Sequence, residues 1–420
     1  MKSLWVVLNY FVFLYPLYMS FVWCVGALIF YYRREHNNVL PELPDYPFFS
    51  IIIPAHNEEE IIEKTVNSLQ KIDYPAYEVI VVNDGSSDRT GQIADELTKR
   101  HSWLRVIHLS PNSGKAKAIN AGIIISKSDF FLVIDADCFL EREALKAMAW
   151  HLVKFPRVGA VTGNPRIINK TSLLGKIQVG EYSSIIGLIK RTQRILGKIL
   201  TVSGVIAAFR KEAVLQSGMF DSDTVTEDID ITWKLEKRFW DVRFEPRALC
   251  WILAAETLSG LWRQRLRWAQ GGVEVVKKHF NIWFDWKQRR LWPVYLEYTI
   301  SILWTFTLGF LVLSWITGFG MYLFKIIPVA PKQPFIPPAW TGSILALMCL
   351  LQSFVSLYID SHYEKGTLLR YYYWVIWYPF FYWLISAVAI FFGVFNVFVK
   401  RARKVTVTWQ SPDRGLKSKK

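Results

Sequence analysis

Apolar positions along this chain fall into two kinds of run. Four are long and carry no charged residue: 3–32, 298–324, 341–359 and 371–399. Each is long enough to cross a hydrocarbon core, which takes about 20 helical residues. The others are short, rich in Val, Ile and Phe, and alternate with amphipathic stretches. Those at 49–53, 77–82, 104–109, 130–134, 158–163 and 201–209 predict strands. Between them Ile61, Ile62, Thr65, Val66 and Leu69 recur at helical spacing, and helices are predicted at 89–100, 116–125 and 229–237. Asn57, with Glu60 three residues on, reads as a capping box opening the first of these helices. Strands alternating with helices point to a parallel, doubly wound sheet, in which ligands bind beyond the carboxyl ends of the strands. A further helix at 258–276 mixes large aromatics with Arg, the composition of a helix lying in a membrane interface.

These runs divide the chain. Residues 1–32 form an N-terminal membrane helix, kinked at Pro16. It is too long for a secretory signal and lacks a small-residue cleavage site, so it reads as an anchor. A Pro-rich linker follows at 33–47, then an α/β domain at 48–254 and interfacial helices at 255–297. A membrane region at 298–399 and a basic tail at 400–420 complete the chain. The roughly 265 residues between the first two long runs suffice for a core of their own. Composition agrees, since 52% hydrophobic and 16% aromatic residues are too many for one water-soluble domain. The net charge of +15 does not point to nucleic acid, because much of the excess flanks the long runs, at Arg33-Arg34, at 287–290 and in the tail. That is the distribution of cytoplasmic loops beside anionic lipid, and it predicts a cytoplasmic α/β domain. Four full spans would leave the basic tail outside, against the same tendency. The stretch 371–399, interrupted by Pro379, is therefore expected to be re-entrant or interfacial. Cys24, Cys138, Cys250 and Cys349 have no paired spacing and the seven histidines no metal-binding spacing. Neither disulfides nor a zinc site is expected.

Candidate chemistry gathers where the strands end. The strand at 130–134 runs straight into Asp135 and Asp137. A buried strand gains nothing by meeting two negative charges unless a positive one waits there. A hard cation, Mg2+ or Mn2+, takes one or two carboxylates together with nucleotide phosphates; a polar exit from the strand would also account for the pair. Pro54, Asn57 and Glu58 follow the first strand and Asp84 the second. Asp84 either shapes a turn in Asn83-Asp84-Gly85 or accepts hydrogen bonds from a base or ribose. Lys115 either contacts phosphate or is a solvated side chain, and no Walker pattern surrounds it. Ser203-Gly204 is a small-residue point where a ligand can approach the backbone. Thr226-Glu227-Asp228 opens a helix, as capping residues do. In Gln264-Arg265-Leu266-Arg267-Trp268, the arginines either snorkel or grip a diphosphate bidentately.

Taken together, Asp84, Asp135-Ala136-Asp137, Thr226-Glu227-Asp228 and Gln264-Arg265-Leu266-Arg267-Trp268 occur in order on an α/β block flanked by membrane runs. This constellation resembles the processive family 2 glycosyltransferases, the group containing cellulose, chitin and hyaluronan synthases. The stretches 161–166, 256–258, 267–272 and 411–415 resemble its poly-N-acetylglucosamine branch, and the resemblance covers nearly the whole chain. It implies an α/β, GT-A-like doubly wound mixed sheet in a cytoplasmic domain, attached to transmembrane and interfacial α-helices of a bacterial cell membrane. By resemblance, the donor UDP-GlcNAc is held by Pro54, Asn57, Glu58, Asp84, Lys115, Asp135, Gln264, Arg265 and Arg267. Asp137 with Asp135 holds Mg2+ (or Mn2+), Asp228 is the general base, and Ser203, Gly204, Glu227 and Trp268 contact the acceptor sugar. The implied product is β-1,6-linked poly-GlcNAc, extruded across the membrane for biofilm matrix. Some members act with a small membrane accessory subunit and respond to cyclic-di-GMP through that pair; no cyclic-di-GMP-binding domain is found in this chain. A synthase of hyaluronan, chitin or cellulose type and a non-processive lipid-linked transferase are the alternatives within the family. Outside it stands a transporter or nucleotide-binding scaffold. The former predicts charge inside the long runs and an inverted repeat, and neither is visible.

Overall fold

Strand β1 (Phe49–Ala55) is buried at every position and has parallel neighbours on both sides, β2 (Tyr77–Asp84) and β4 (Phe130–Ile134). Side chains on a strand alternate between faces, and here each face meets its own core. Ile51, Ile53, Val79, Val81, Leu132 and Ile134 pack on one side with Ile62 and Val66 of α2 (Ile62–Ser68) and Leu97 of α3 (Thr90–Thr98). Ile52, Ile80, Val82, Phe131 and Val133 pack on the other with Ile119 and Ile123 of α4 (Lys115–Ile125). The computed structural model describes residues 2–36, 39–332, 339–364, 368–376 and 378–399. The basic tail and the 411–415 stretch lie outside these described residues.

The sheet is mixed rather than wholly parallel. Its eight strands run in the order β3-β2-β1-β4-β7-β6-β8-β5, where β3 is Leu104–Leu109, β5 Phe139–Leu140, β6 Val158–Ile167, β7 Ile206–Arg210 and β8 Asp241–Ile252. Strand β7 lies antiparallel between β4 and β6, and β5 antiparallel on β8. Helix α5 (Ala144–Lys154) covers the first face through Leu145, Met148 and Leu152. Helices α8 (Lys211–Gln216) and α9 (Glu227–Lys237) cover the second through Val214, Ile231 and Leu235.

Several sequence expectations shift. The capping box is absent: α2 begins at Ile62 with no side-chain cap, and Asn57, at φ 56°, accepts from the Ser87 amide instead. The strand expected at 201–209 is confined to β7; residues 201–205 form a loop closed by an isolated Ser203–Ile206 bridge. Strand β8 was not foreseen, because Glu245, Arg247 and Pro246 interrupt its apolar pattern. Burial of Glu245 is made possible by His151 at 2.8 Å and Arg247 at 2.7 Å.

Among the described residues three helical segments are long and apolar enough to cross a membrane. They are α1 (Lys2–Phe30) with its π-helical continuation Tyr31–Glu35, α11 (Trp292–Leu323) and α12 (Trp340–Asp360). Each is longer than its uncharged run and takes in a carboxylate at one end: Glu35, Glu297 and Asp360. The fourth run is broken. A short helix α13 (Tyr372–Val375) packs on α6 (Leu173–Glu181), where Val375 lies against Gly180, and α14 (Tyr378–Val399) lies along α10 (Leu258–Lys278), Gly393 meeting the α10 backbone at Ala269 and Gln270. A chain of buried charges joins these parts. Arg191 of α7 (Ile189–Leu196) pairs with Glu35 at 2.7 Å and Asp360 at 2.9 Å, and Asp360 pairs with Arg166 of β6 at 2.8 Å.

Candidate active site

Lys115 is the hub of the polar groups beyond the strand ends. It opens α4, and Asp84 puts it there: the buried Asp84 carboxylate accepts from the Ser113 amide and hydroxyl and the Gly114 amide, each at 2.8 Å. Gly114, at φ 91°, makes the turn that a side chain would strain. From that position the Lys115 ammonium reaches Asp135 at 2.6 Å, Glu227 at 3.2 Å and the Gly204 carbonyl at 3.2 Å. Burial works against its charge, but Asp135 and Glu227 outweigh it and hold the ammonium above its ordinary range. The Asp135–Asp137 turn is pinned by α2, whose Thr65 hydroxyl donates to the Ala136 carbonyl at 2.6 Å.

Asp228 faces the same space from the first turn of α9. Capping does not account for it, since Thr226 makes no side-chain cap and its buried hydroxyl has no partner among the described residues. The Asp228 carboxylate instead accepts from the Ile229 amide at 3.0 Å and the Gly204 amide at 3.2 Å. Burial, reinforced by the Glu227 charge, pushes its carboxyl up to about 6, with Lys115 opposing.

Helix α10 supplies the third wall. Its start is fixed by Thr257, whose hydroxyl accepts from the Gly260 amide. The two arginines of its motif differ. Arg265 is buried in an ion pair with Glu181 at 2.5 Å, its guanidinium 4.3 Å from the Trp268 ring centre. Arg267 is exposed at the cavity and joins no ion pair among the described residues. The Gln264 side-chain oxygen is buried without a partner among the described residues.

These residues line one cavity of about 1020 Å3. It gathers Lys115, Asp135, Asp137, Ser203, Gly204, Glu227, Asp228, Gln264, Arg265, Arg267 and Trp268, and continues between Tyr15 and Trp23 of α1, Thr305 of α11 and Gln352 of α12. Pro54, Asn57, Glu58 and Asp84 do not line it. They form a neighbouring cluster at the ends of β1 and β2, where His56 bonds the Asp84 carbonyl at 2.8 Å and the Glu58 amide donates to Thr90 at 2.7 Å. Lys115, held by Asp84, connects the two.

A family model described as glycosyl transferase family 2 matches residues 50–217. The poly-beta-1,6-N-acetyl-D-glucosamine synthase of Staphylococcus epidermidis is 39% identical over 414 residues, 96% of this chain and 98% of the relative. Its namesake from Staphylococcus aureus strain COL is 39% identical over 410 residues, with the same shares covered. This chain belongs to glycosyl transferase family 2. Among solved structures it is similar to a mannosyltransferase from Pyrobaculum calidifontis in complex with GDP-Man and Mn2+. That match has a TM-score of 0.62 and 18% identity and covers 93% of this chain and all of the other. At that identity it speaks to the fold, which is GT-A-like.

For a family 2 glycosyltransferase the donor set at β4 is informative. Among the described residues no three His, Cys, Asp or Glu side chains gather as a complete metal set. Two carboxylates one residue apart, Asp135 and Asp137, fit a cation that completes its shell from a nucleotide diphosphate. Sequence reasoning missed two groups here. Glu181 neutralises Arg265, and burial raises its carboxyl against that pairing. Lys190 of α7 also lines the cavity. Both were detectable: Glu181 is the one charge inside the largely apolar stretch 177–189 and Lys190 directly follows it, a pattern that marks a lined cavity rather than a core.

Proposed function

We propose that this glycosyltransferase polymerises N-acetylglucosamine from UDP-GlcNAc into β-1,6-linked poly-GlcNAc with inversion at the anomeric carbon, passing the product out between its membrane helices. One observation carries the reading: the cavity that holds Asp137 and Asp228 continues without a break along α1, α11 and α12. The 39% identical relatives supply the polymer and linkage.

The residues present match the reaction. The acceptor's hydroxyl attacks the anomeric carbon and its proton passes to Asp228. The bond from that carbon to the diphosphate breaks, and its electron pair leaves with UDP. A base whose carboxyl titrates near 6 is ionised at neutral pH yet basic enough to take the proton. One carboxylate suffices, because inversion needs no covalent intermediate. Lys115 and Arg267 neutralise charge developing on the diphosphate. Asp137, with Asp135, would hold Mg2+ or Mn2+, which supplies further charge stabilisation there. Arg265 acts indirectly, setting the Trp268 ring at the acceptor side. The α/β domain then lies in the cytoplasm, where sugar nucleotides are made and where Arg33-Arg34 favour it.

The test is turnover of the full chain in nanodiscs with UDP-GlcNAc and Mg2+, following UDP and polymer together. Expected are polymer cut by a β-1,6-specific hexosaminidase, no turnover in EDTA, and recovery on adding Mg2+ or Mn2+. Polymer from UDP-glucose or UDP-glucuronate, or a β-1,4-linked product, would replace this reading with a cellulose, hyaluronan or chitin type of synthase. Arms with a small membrane subunit and cyclic-di-GMP test the proposed accessory regulation.

A further inference from the structure

One buried cationic side chain in the cavity joins no ion pair among the described residues. Lys190 is 5% exposed and stands at the start of α7, just after a seven-residue π-helical segment, Tyr182–Leu188. Such segments inside helices are frequent at functional sites. Its ammonium makes one hydrogen bond, to Thr162 Oγ1 of β6 at 3.3 Å, and joins no ion pair among the described residues. An ammonium carries three donors and no acceptor, so the protein satisfies one donor of three. Burial pushes this group down to about 7, against the attraction of Asp228.

Its placement says what the remaining donors face. Thr162 Oγ1 also accepts the Ser203 amide at 2.7 Å, and the next amide, Gly204, donates to Asp228 at 3.2 Å. Ammonium and base are thus fixed on successive links of one short stretch of backbone. Three residues along the same helix, Gln193 reaches Glu297 of α11 at 3.3 Å. The next residue but one to Lys190, Thr192, donates to the Trp23 carbonyl of α1 at 2.7 Å, so Lys190 stands where the cavity meets the spanning helices. On the proposed function, the occupant there is a neutral glycan, dense in hydroxyl and amide-carbonyl oxygens that accept hydrogen bonds.

We propose that Lys190 binds the acceptor: its ammonium donates to an oxygen of the terminal sugar of the growing chain and turns that sugar's hydroxyl toward Asp228. This rests on the reading that product enters the cavity from the membrane side.

The experiment compares wild type with Lys190→Met, which keeps the apolar stem, and Lys190→Arg, which keeps the charge. With β-1,6-linked GlcNAc oligosaccharides as primers, Lys190→Met is expected to raise the primer KM about tenfold, equivalent to about 1.4 kcal/mol. The UDP-GlcNAc KM stays within about twofold, and Lys190→Arg recovers most of the loss. A purely structural lysine would lower the melting temperature and leave the primer KM unchanged, which would overturn the proposal, as would a rise in the donor KM alone. Tryptophan-fluorescence titration with the same oligosaccharides needs no turnover. A tenfold weaker Kd in Lys190→Met supports the proposal even if UDP-GlcNAc is not the donor, whereas equal binding by both proteins sinks it. Should Lys190→Met not fold, Lys190→Gln is read by the same two measurements.

Discussion

At the scale of single residues, Asp228 sets the clearest expectation. Its carboxyl sits near 6, about two units above an ordinary aspartate near 3.9. Activity should therefore rise with pH through about 6 and level off above it, measured as kcat/KM for UDP release. Asp228→Asn should lower turnover by about 10²–10⁴-fold, the usual share of a general base. The sign for stability is opposite. The folded state holds an extra proton between about pH 4 and 6, so wild type loses stability as pH rises through that window. Asp228→Asn escapes that loss and should melt higher than wild type at pH 7 but not at pH 4. The two motif arginines separate in the same way. Arg265→Met leaves Glu181 buried without its partner, at a cost of about 3–5 kcal/mol in unfolding experiments. Arg267→Met, at an exposed position, should change stability by no more than about 0.5 kcal/mol while weakening donor use. The motif sets the two arginines close together and cannot distinguish them, because their difference lies in Glu181, a residue far away in sequence.

At the scale of elements, strands buried on both faces were legible from their runs, and so was the placing of Asp84, Asp135 and Asp137 at strand ends. What could not be read was antiparallel insertion. Nothing local in Ile206–Arg210 distinguishes a strand running against its neighbours, and β8 hides its buried Glu245 behind partners from α5 and its own strand. Tertiary contact also overrode the capping signal at Asn57, which the Asn83–Asp88 loop recruits instead. Helix α10 depends on another such contact. Gly272 lies so close to α11 that a Cβ there would stand 1.7 Å from the Tyr298 hydroxyl oxygen. Gly272→Ala must displace the Tyr298 ring or part the helices, at about 1–3 kcal/mol, and either shift disturbs the helix that carries Gln264 to Trp268. A lower melting temperature together with reduced polymer yield is the expected result; an unchanged protein would mean that the contact is not tight.

At the scale of the whole molecule, the long runs announced membrane helices, but their uncharged limits concealed the charges that anchor them. Glu35 and Asp360 fall just past those limits and are buried only because Arg191 and Arg166 meet them. Asp360→Asn leaves two guanidinium groups sharing one carboxylate fewer. It should cost several kcal/mol, on the order of the 3–5 seen when a buried pair is broken, read as earlier thermal unfolding in detergent. That linkage has a mechanical consequence. It ties the ends of α1 and α12 to the strand and helix that also carry Thr162 and Lys190, so the proposed product path and the proposed place of bond formation share one frame. If a polymer leaves along that path, walls tied in this way would have no stroke to deliver: the product would drift by thermal motion and each new bond would forbid the last backward step. Such a machine would be a Brownian ratchet, its load set by the free energy of sugar transfer rather than by any swing of its helices.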